Sequence, residues 1–401
     1  MQSIVPITDD IYWVGVNDRQ TDLFESIWPL PRGVSYNSYL IVDEKVALMD
    51  TVKKIALPAY LAKLKQALGD RGKIDYLIVN HLEPDHSGSL PVLREIYPQM
   101  EIIGTKKMAE FLANLYGITE GVRIVQDSQE LDLGKRKLKF VSTPMVHWPE
   151  TMMTYESTEK ILFSGDAFGG FGTLDGSIFE DKVDIKYFED EILRYFSNIV
   201  GKYTSTVQKA IAKLQGTPIQ IIAPTHGPVW RKHPERIVQL YDRWSRQETE
   251  PGVVIAYATM YENTEKMMEA VVSGLQDENL STIRIHNVSR SHASFIIRDV
   301  WRYRGLLLGS PTYDTKLFPL MDSLIRLLET KMIKNRITGV FGSFGWSGGA
   351  VKTLQEFTQN SHIELVEPVV EARFAPGADD LDKCRQLGRN MARHIRESSG
   401  A

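Results

Sequence analysis

The segment Asn80-His81-Leu82-Glu83-Pro84-Asp85-His86-Ser87-Gly88 places four potential metal ligands within six residues, directly after the apolar run Tyr76–Val79. Pro84 disfavours helix at the residue before it, so the segment reads as a loop at a strand end, where side chains can turn toward one point. A lone His-x-Glu is ordinarily a polar loop with solvated histidines. Here three more candidates each follow an apolar run: His147 after Leu138–Val146, Asp166 after Ile161–Phe163, and His226 in Thr225-His226-Gly227-Pro228 after Ile219–Ala223. Layered α/β folds collect site residues from several strand ends, so four separated loops form one coherent constellation. It takes four of the nine histidines. His233, His286, His292, His362 and His394 stand in charged or helical contexts without a second ligand at metal spacing, and are assigned no metal role. Four imidazoles and three carboxylates without sulfur make a hard donor set. Six or seven such ligands suit two metals of flexible coordination, iron or manganese, better than one tetrahedral zinc.

A second kind of chemistry is written in the C-terminal part. Thr259-Met260-Tyr261-Glu262-Asn263-Thr264 follows a strand-like run and leads into a helical pattern. Backbone N–H groups at a helix N-terminus, with the Thr259 and Thr264 hydroxyls nearby, make an anion cradle suited to phosphate. With no Walker lysine and no Gly-x-Gly-x-x-Gly, ATP and dinucleotides are disfavoured and a mononucleotide remains. Two further loops, Ser310-Pro311-Thr312-Tyr313-Asp314 and Ser343-Phe344-Gly345-Trp346-Ser347-Gly348-Gly349, lie at the ends of later strands, where a doubly wound sheet binds its ligand. Trp346 read as a core aromatic is the alternative, but glycines rather than apolar residues flank it.

The elements that must position these residues divide into two sets. A chain of 401 residues suggests two domains, and the charged, Pro-Gly-closed stretch Asp242–Gly252 puts the boundary near Glu250, giving 1–250 and 251–401. The second part alternates five β-rich runs with five helical stretches, from Val253–Thr259 to Asp380–Arg396. This predicts a flavodoxin-like doubly wound parallel sheet of order 2-1-3-4-5. The first part is a mixed layered fold, with strands expected over Ile11–Val16, Tyr36–Val42, Lys45–Met49, Ile74–Asn80, Glu101–Gly104, Leu138–Ser142, Met152–Tyr155, Ile161–Phe163 and Ile219–Ala223. Helices are expected over Leu57–Leu68, Lys106–Tyr116, Asp190–Val200 and Thr204–Lys213.

Composition narrows the classes further. One cysteine, Cys384, excludes an internal disulfide, a zinc ribbon and an iron–sulfur cluster. A net charge of −4 without a basic run argues against nucleic acid as a partner. Apolar runs fall far below the roughly 18 residues of a membrane span, and Met1–Asp10 lacks a secretion signal's basic and apolar regions, so a cytoplasmic location is expected.

The order His-x-Glu-x-Asp-His, then His, Asp and His, resembles the metallo-β-lactamase superfamily and, within it, the flavodiiron proteins. Zinc hydrolases of the superfamily usually carry His-x-His-x-Asp-His, so Glu83 is the discriminating residue. The C-terminal part resembles flavodoxin, and Gly-Trp-Ser-Gly-Gly at 345–349 in particular resembles flavodiiron proteins. The resemblance implies a metallo-β-lactamase-like αββα domain followed by a flavodoxin-like FMN domain. It implies one iron on His81, Glu83 and His147, another on Asp85, His86 and His226, and Asp166 bridging; in some members water replaces the imidazole at His86. Asp50 is either an orienting partner of a ligand or the cap of the following turn. Trp148 is a candidate for lining the pocket, or else an anchor of its loop. FMN would lie among residues 259–264, 311–314 and 343–348, with Tyr313 or Trp346 packing on the ring; flavodoxins usually have glycine at Glu262, and a carboxylate there weakens FMN binding unless it points outward. The implied activity is reduction of O₂ to water or NO to N₂O, with FMN relaying electrons from a separate donor such as rubredoxin, because the chain has no Cys-x-x-Cys extension. A head-to-tail homodimer, alone or paired into a tetramer, is implied as well. The rival readings are a zinc hydrolase with a regulatory flavodoxin domain and a pure flavin electron carrier with a structural metal.

Overall fold

The computed structural model describes residues 4–399. It contains two compact units, Met1–Ser245 and Arg246–Ala401.

Besides two two-stranded sheets among the described residues, Val16–Asp18 with Val34–Tyr36 and Leu23–Phe24 with Trp28–Pro29, the first unit holds two large ones. One is seven-stranded, in the order Val5–Thr8, Ile11–Trp13, Tyr39–Val42, Val46–Met49, Tyr76–Ile78, Glu101–Gly104 and Val122–Ile124. It is antiparallel through its first four strands and parallel thereafter. The other is five-stranded, Glu130–Asp132, Lys137–Ser142, Met152–Glu156, Ile161–Gly165 and Ile221–Pro224, and only its last pair is parallel. Val46–Met49, Met152–Glu156 and Ile161–Gly165 are buried along their whole length. Strands buried on both faces belong to the middle of a layered structure, and Tyr39 of one sheet meets Phe163 of the other with ring centroids 5.3 Å apart. The helices Leu57–Leu68, Lys106–Tyr116, Thr204–Leu214 and Pro234–Ser245 turn apolar stripes inward, completing the αββα architecture.

Several expectations are corrected. The ligand segment is not all loop, because Pro84–Ser87 forms one helical turn. Proline is tolerated there because the first N–H of a helix has no partner to lose. Ile11–Val16 is two strands, Ile11–Trp13 and Val16–Asp18, in different sheets. The helix expected at Asp190–Val200 spans Ile185–Tyr195 and continues as a π-turn over Phe196–Val200, with the Asp184 side chain accepting the Tyr187 N–H at its start. Asp242–Ser245, read as linker, is the last turn of a helix with Trp244 buried.

The second unit is a parallel sheet in the order Ile283–Asn287, Glu250–Tyr257, Tyr303–Tyr313, Ile337–Phe344 and Glu364–Leu365, the 2-1-3-4-5 arrangement. The fifth strand resumes as Val370–Arg373 beyond Pro368, which lacks the N–H a continuous ladder needs. Helices Asn263–Asp277 and Ala378–Ser399 cross closely: a Cβ on Gly274 would stand 1.9 Å from the Arg385 carbonyl oxygen, so glycine is required for that packing. The core beneath includes Val253, Ile255, Met267, Leu307, Phe341 and Leu387.

Candidate metal centre and flavin cleft

All four ligand-bearing segments leave strand ends of the first unit. The His81–His86 segment follows Tyr76–Ile78, His147 lies between Lys137–Ser142 and Met152–Glu156, Asp166 directly follows Ile161–Gly165, and His226 lies two residues beyond Ile221–Pro224. Their side chains meet around the two oxygens of Asp166. On Oδ2 converge His81 Nε2 at 3.2 Å and His147 Nε2 at 3.0 Å, with Glu83 Oε2 3.0 Å from His147. On the Oδ1 side stand His86 Nε2 at 3.3 Å and His226 Nε2 at 3.7 Å, with Asp85 Oδ2 3.2 and 3.3 Å from those nitrogens. His81, His86, His226 and Asp166 are at most 2% exposed. Seven charged or chargeable groups are thus gathered in an apolar interior.

The unmatched atoms test whether this set fits metal. Both ring nitrogens of His81, Nδ1 of His86, Oε2 of Glu83 and both oxygens of Asp85 are buried without a hydrogen bond. Buried polar atoms are normally satisfied, and of these His81 Nε2, Glu83 Oε2 and Asp85 Oδ2 face the cluster, a set of unmatched donors that suits cation coordination. The 2.9 Å separation of His86 Nε2 and His226 Nε2 points the same way, since two facing lone pairs require a proton or a cation between them. On the far side of its ring His226 Nδ1 donates to the Ser35 carbonyl at 2.8 Å, which leaves Nε2 as the donor atom. The charge balance follows the geometry. Burial would raise Asp166, but His81 and His86 outweigh it and hold the carboxyl well below the usual range. Burial would lower His86 and His147, yet Asp85 with Asp166, and Asp166 with Glu83, carry them up to about 10 and about 9.

Other residues around the cluster carry no motif. Tyr195 donates its O–H to Asp166 Oδ2 at 2.8 Å, and burial followed by the Asp166 charge pushes that phenol well above its ordinary value, so it stays a donor. Thr225 donates to Asp166 Oδ1 at 2.5 Å. Asp50, buried at φ +49°, accepts the Asn80 N–H at 2.8 Å and the Asn80 amide at 2.7 Å. It therefore holds Asn80, the residue directly before His81, in line with an orienting role. The rings of Phe24, Tyr36 and Tyr195 stand 5.4, 5.7 and 5.4 Å from that of His226. Trp148 packs edge-on against Phe111 at 6.3 Å. His286 pairs with Asp299 at 2.9 Å, His394 with Glu364 at 3.0 Å and His233 with Glu235 at 3.3 Å.

In the second unit a cleft of about 710 Å³ lies at the carboxyl ends of the strands. Thr259, Met260, Tyr261, Asn263, Thr264, Pro311, Thr312, Tyr313, Asp314, Ser343, Phe344, Gly345, Trp346 and Ser347 line it. Glu262 and Gly348 do not line it, while Thr315 and Phe374 do. Phe374 escaped the sequence reading because it follows the interrupted fifth strand. The Trp346 side chain is 88% exposed, which rules out a core role, and Tyr261 is 84% exposed. The loops are tied together by Thr264 Oγ1 and Ser343 Oγ at 3.0 Å and by the Ala350 N–H donating to Thr312 Oγ1 at 3.2 Å. Thr259 Oγ1 is buried without a partner beside the start of helix Asn263–Asp277, as a phosphate cradle requires. Glu262 has φ +64° and an exposed side chain, which explains the usual glycine: the position is left-handed.

Residues 34–227 match the family described as ODP family beta lactamase, and residues 255–388 match flavodoxin. A nitric oxide reductase of Moorella thermoacetica is 38% identical over 98% of this chain and 100% of that protein. The solved structure of rubredoxin oxygen:oxidoreductase from Desulfovibrio gigas has a TM-score of 0.95 and 30% identity, covering 100% of both chains. A flavodiiron protein from Giardia intestinalis has a TM-score of 0.93 and 27% identity over 99% of this chain and 98% of that one. Among the described residues no helix is long and apolar enough to cross a membrane.

Proposed function

Since the chain belongs to the flavodiiron proteins, we propose that it reduces NO to N₂O or O₂ to water, with electrons entering from an external donor through FMN. The observation that carries this reading is the sulfur-free seven-residue cluster, with Glu83 in place of a histidine, on a chain that also presents a flavin cleft. When bound, two irons and FMN supply a place for a diatomic substrate and a store of electrons that redox-inert zinc lacks.

We assign His81, Glu83 and His147 to one iron, Asp85, His86 and His226 to the other, and Asp166 to both. The grouping of these side chains on separate oxygens of Asp166 supports the assignment. Thr225 and Tyr195 each donate to one Asp166 oxygen and so fix its plane. The Tyr195 hydroxyl also holds a proton at the edge of the site, where reduction of either substrate consumes protons. Phe24 and Tyr36 stand edge-on to the His226 ring and make an apolar wall that limits water on that side. In the second unit Thr259 and the helix start would hold the FMN phosphate, and Tyr313 and Trp346 would flank the ring.

We further propose rubredoxin as the donor, the partner named for the Desulfovibrio gigas protein, and a head-to-tail homodimer or a pair of such dimers. The exposed Tyr261, Tyr313, Trp346 and Phe374 around the cleft favour a site that a second protein surface covers. Elemental analysis and a visible spectrum of protein made in iron-replete medium test the reading. About two iron and one FMN per chain, with anaerobic NO or O₂ consumption, is the expected result. Zinc in place of iron would return the hydrolase reading.

A further inference from the structure

His81 is held from both sides by buried carboxylates. The N–H before it, of Asn80, donates to Asp50 Oδ1 at 2.8 Å, and the N–H after it, of Leu82, donates to Glu150 Oε1 at 2.9 Å. Asp50 is 3% exposed and Glu150 2%. The two differ in how they are answered. Asp50 also accepts the Asn80 amide at Oδ2, so both its oxygens are engaged, whereas Glu150 Oε2 is buried with no hydrogen-bond partner. A neutral acceptor would hold the Leu82 N–H as well. Burying a carboxylate with one oxygen unanswered is unfavourable unless positive charge nearby compensates it.

The position of Glu150 says where that charge would be. It lies three residues after His147, and through Leu82 it grips the residue between His81 and Glu83. It therefore joins the His81–His86 segment to the one that carries His147, and it bonds the former at Leu82, between His81 and Glu83, rather than at Asp85 or His86. Its own segment is anchored by the Glu150 carbonyl, which accepts from Thr105 Oγ1 at 3.1 Å. Resting on the ligand assignment above, we propose that Glu150 is the positioning residue of one iron only. It sets His81 and Glu83 against His147 and lays a negative charge behind that iron, making the two irons electrostatically unequal. Groups behind the ligands of a metal commonly change affinity by about 10–100-fold.

Two substitutions separate the geometric part from the charge. Glu150→Ala removes both, and Glu150→Gln keeps an acceptor for Leu82 while removing the charge. The readouts are iron and FMN per chain on purified holoprotein, and midpoint potentials of the diiron centre followed by electron paramagnetic resonance. Glu150→Ala is expected to keep its FMN and lose roughly half of its iron. Glu150→Gln is expected to keep its iron, with potentials moved positive because the oxidised, more highly charged state loses a stabilising anion. Wild-type iron content in Glu150→Ala, or unmoved potentials in Glu150→Gln, would overturn the proposal. If Glu150→Ala does not accumulate, the potentials of Glu150→Gln decide alone. Wild-type protein that takes up no iron would instead defeat the ligand assignment, so the two failures are distinguishable.

Discussion

The metal cluster and the flavin cleft occupy opposite extremes of exposure: His81 and Asp166 are each 1% exposed, while Trp346 and Tyr261 are 88% and 84% exposed. Buried charges have to be answered by one another as the chain folds, and the cluster accordingly brings carboxylates and imidazoles to within 3.0–3.7 Å of each other. Exposed aromatic loops need no such answer, because water solvates them until a ligand orders them. The first site is therefore part of the folding problem, and the second is added onto a finished sheet. Perturbing the cluster should damage stability and metal together, whereas perturbing the exposed lining of the cleft should touch flavin and leave stability nearly unchanged.

Asp166→Ala should give the largest effect. It removes the acceptor shared by His81, His147, His86, Tyr195 and Thr225, so iron content should fall to a small fraction of wild type. The metal-free protein should lose about 3 kcal/mol, the loss typical of removing one partner from a buried ionic group. Elemental analysis and denaturant unfolding check both. Normal iron content would contradict the bridging role and much of the contrast with the cleft.

Proton linkage in the metal-free protein comes next. His86 and His147 are carried up to about 10 and about 9, so their protonation stabilises the fold fully below about pH 6.5 and that contribution is lost as pH rises through 9 to 10. Asp166 and Glu83 are held below their ordinary values, so their contribution is present above about pH 4 and lost on acidification. The metal-free protein should thus be most stable between about pH 4.5 and 6.5 and weaken toward pH 10. Iron loading should remove the alkaline decline, because ligating imidazoles carry no proton at the coordinating nitrogen. A metal-free Tm that stays flat from about pH 6 to 10 would mean that the cluster charges are not coupled to folding.

The same contrast governs what could be read in the sequence. His81, Glu83, Asp85, His86, His147, Asp166 and His226 stood out because metal binding restricts residue type, and each follows a strand-like run. Tyr195, Thr225 and Glu150 did not, since a tyrosine on an amphipathic helix, a threonine beside a ligand and a glutamate in a loop are ordinary until folding sets them against Asp166 or Leu82. The helix Pro234–Ser245 was hidden in the same way. Its last turn, from Asp242, reads as linker by charge, although Ile237, Tyr241 and Trp244 recur at helical spacing on the buried side. The βα alternation of the second unit was plain because its three central strands are buried apolar runs, and the end of the last strand blurred where Pro368 interrupts the ladder.

Trp346→Ala tests the cleft side. With the indole in water, the flavin-free protein should keep its Tm, and FMN affinity should fall by about 2- to 12-fold, the worth of one stacking contact of roughly 0.5–1.5 kcal/mol. A drop in flavin-free stability would show that the loop is more deeply integrated than its exposure indicates.

The smallest effect belongs to Glu262→Gly. Residue 262 precedes the helix Asn263–Asp277 at φ +64°, a conformation costing a side-chain-bearing residue roughly 1–2 kcal/mol, part of which glycine returns through its freer unfolded chain. The net gain in stability should be a fraction of 1 kcal/mol, about what that difference leaves. Removing an exposed carboxylate near the phosphate position should tighten FMN by about two- to threefold at low salt and less at high salt, because solvent and ions screen it. Titration of the flavin-free protein with FMN at two ionic strengths separates the contributions. A gain that persists at high salt assigns the effect to the backbone, and one that vanishes assigns it to charge. No gain at either would place the Glu262 carboxylate outside the field of the phosphate, leaving the strained backbone without consequence for the cofactor.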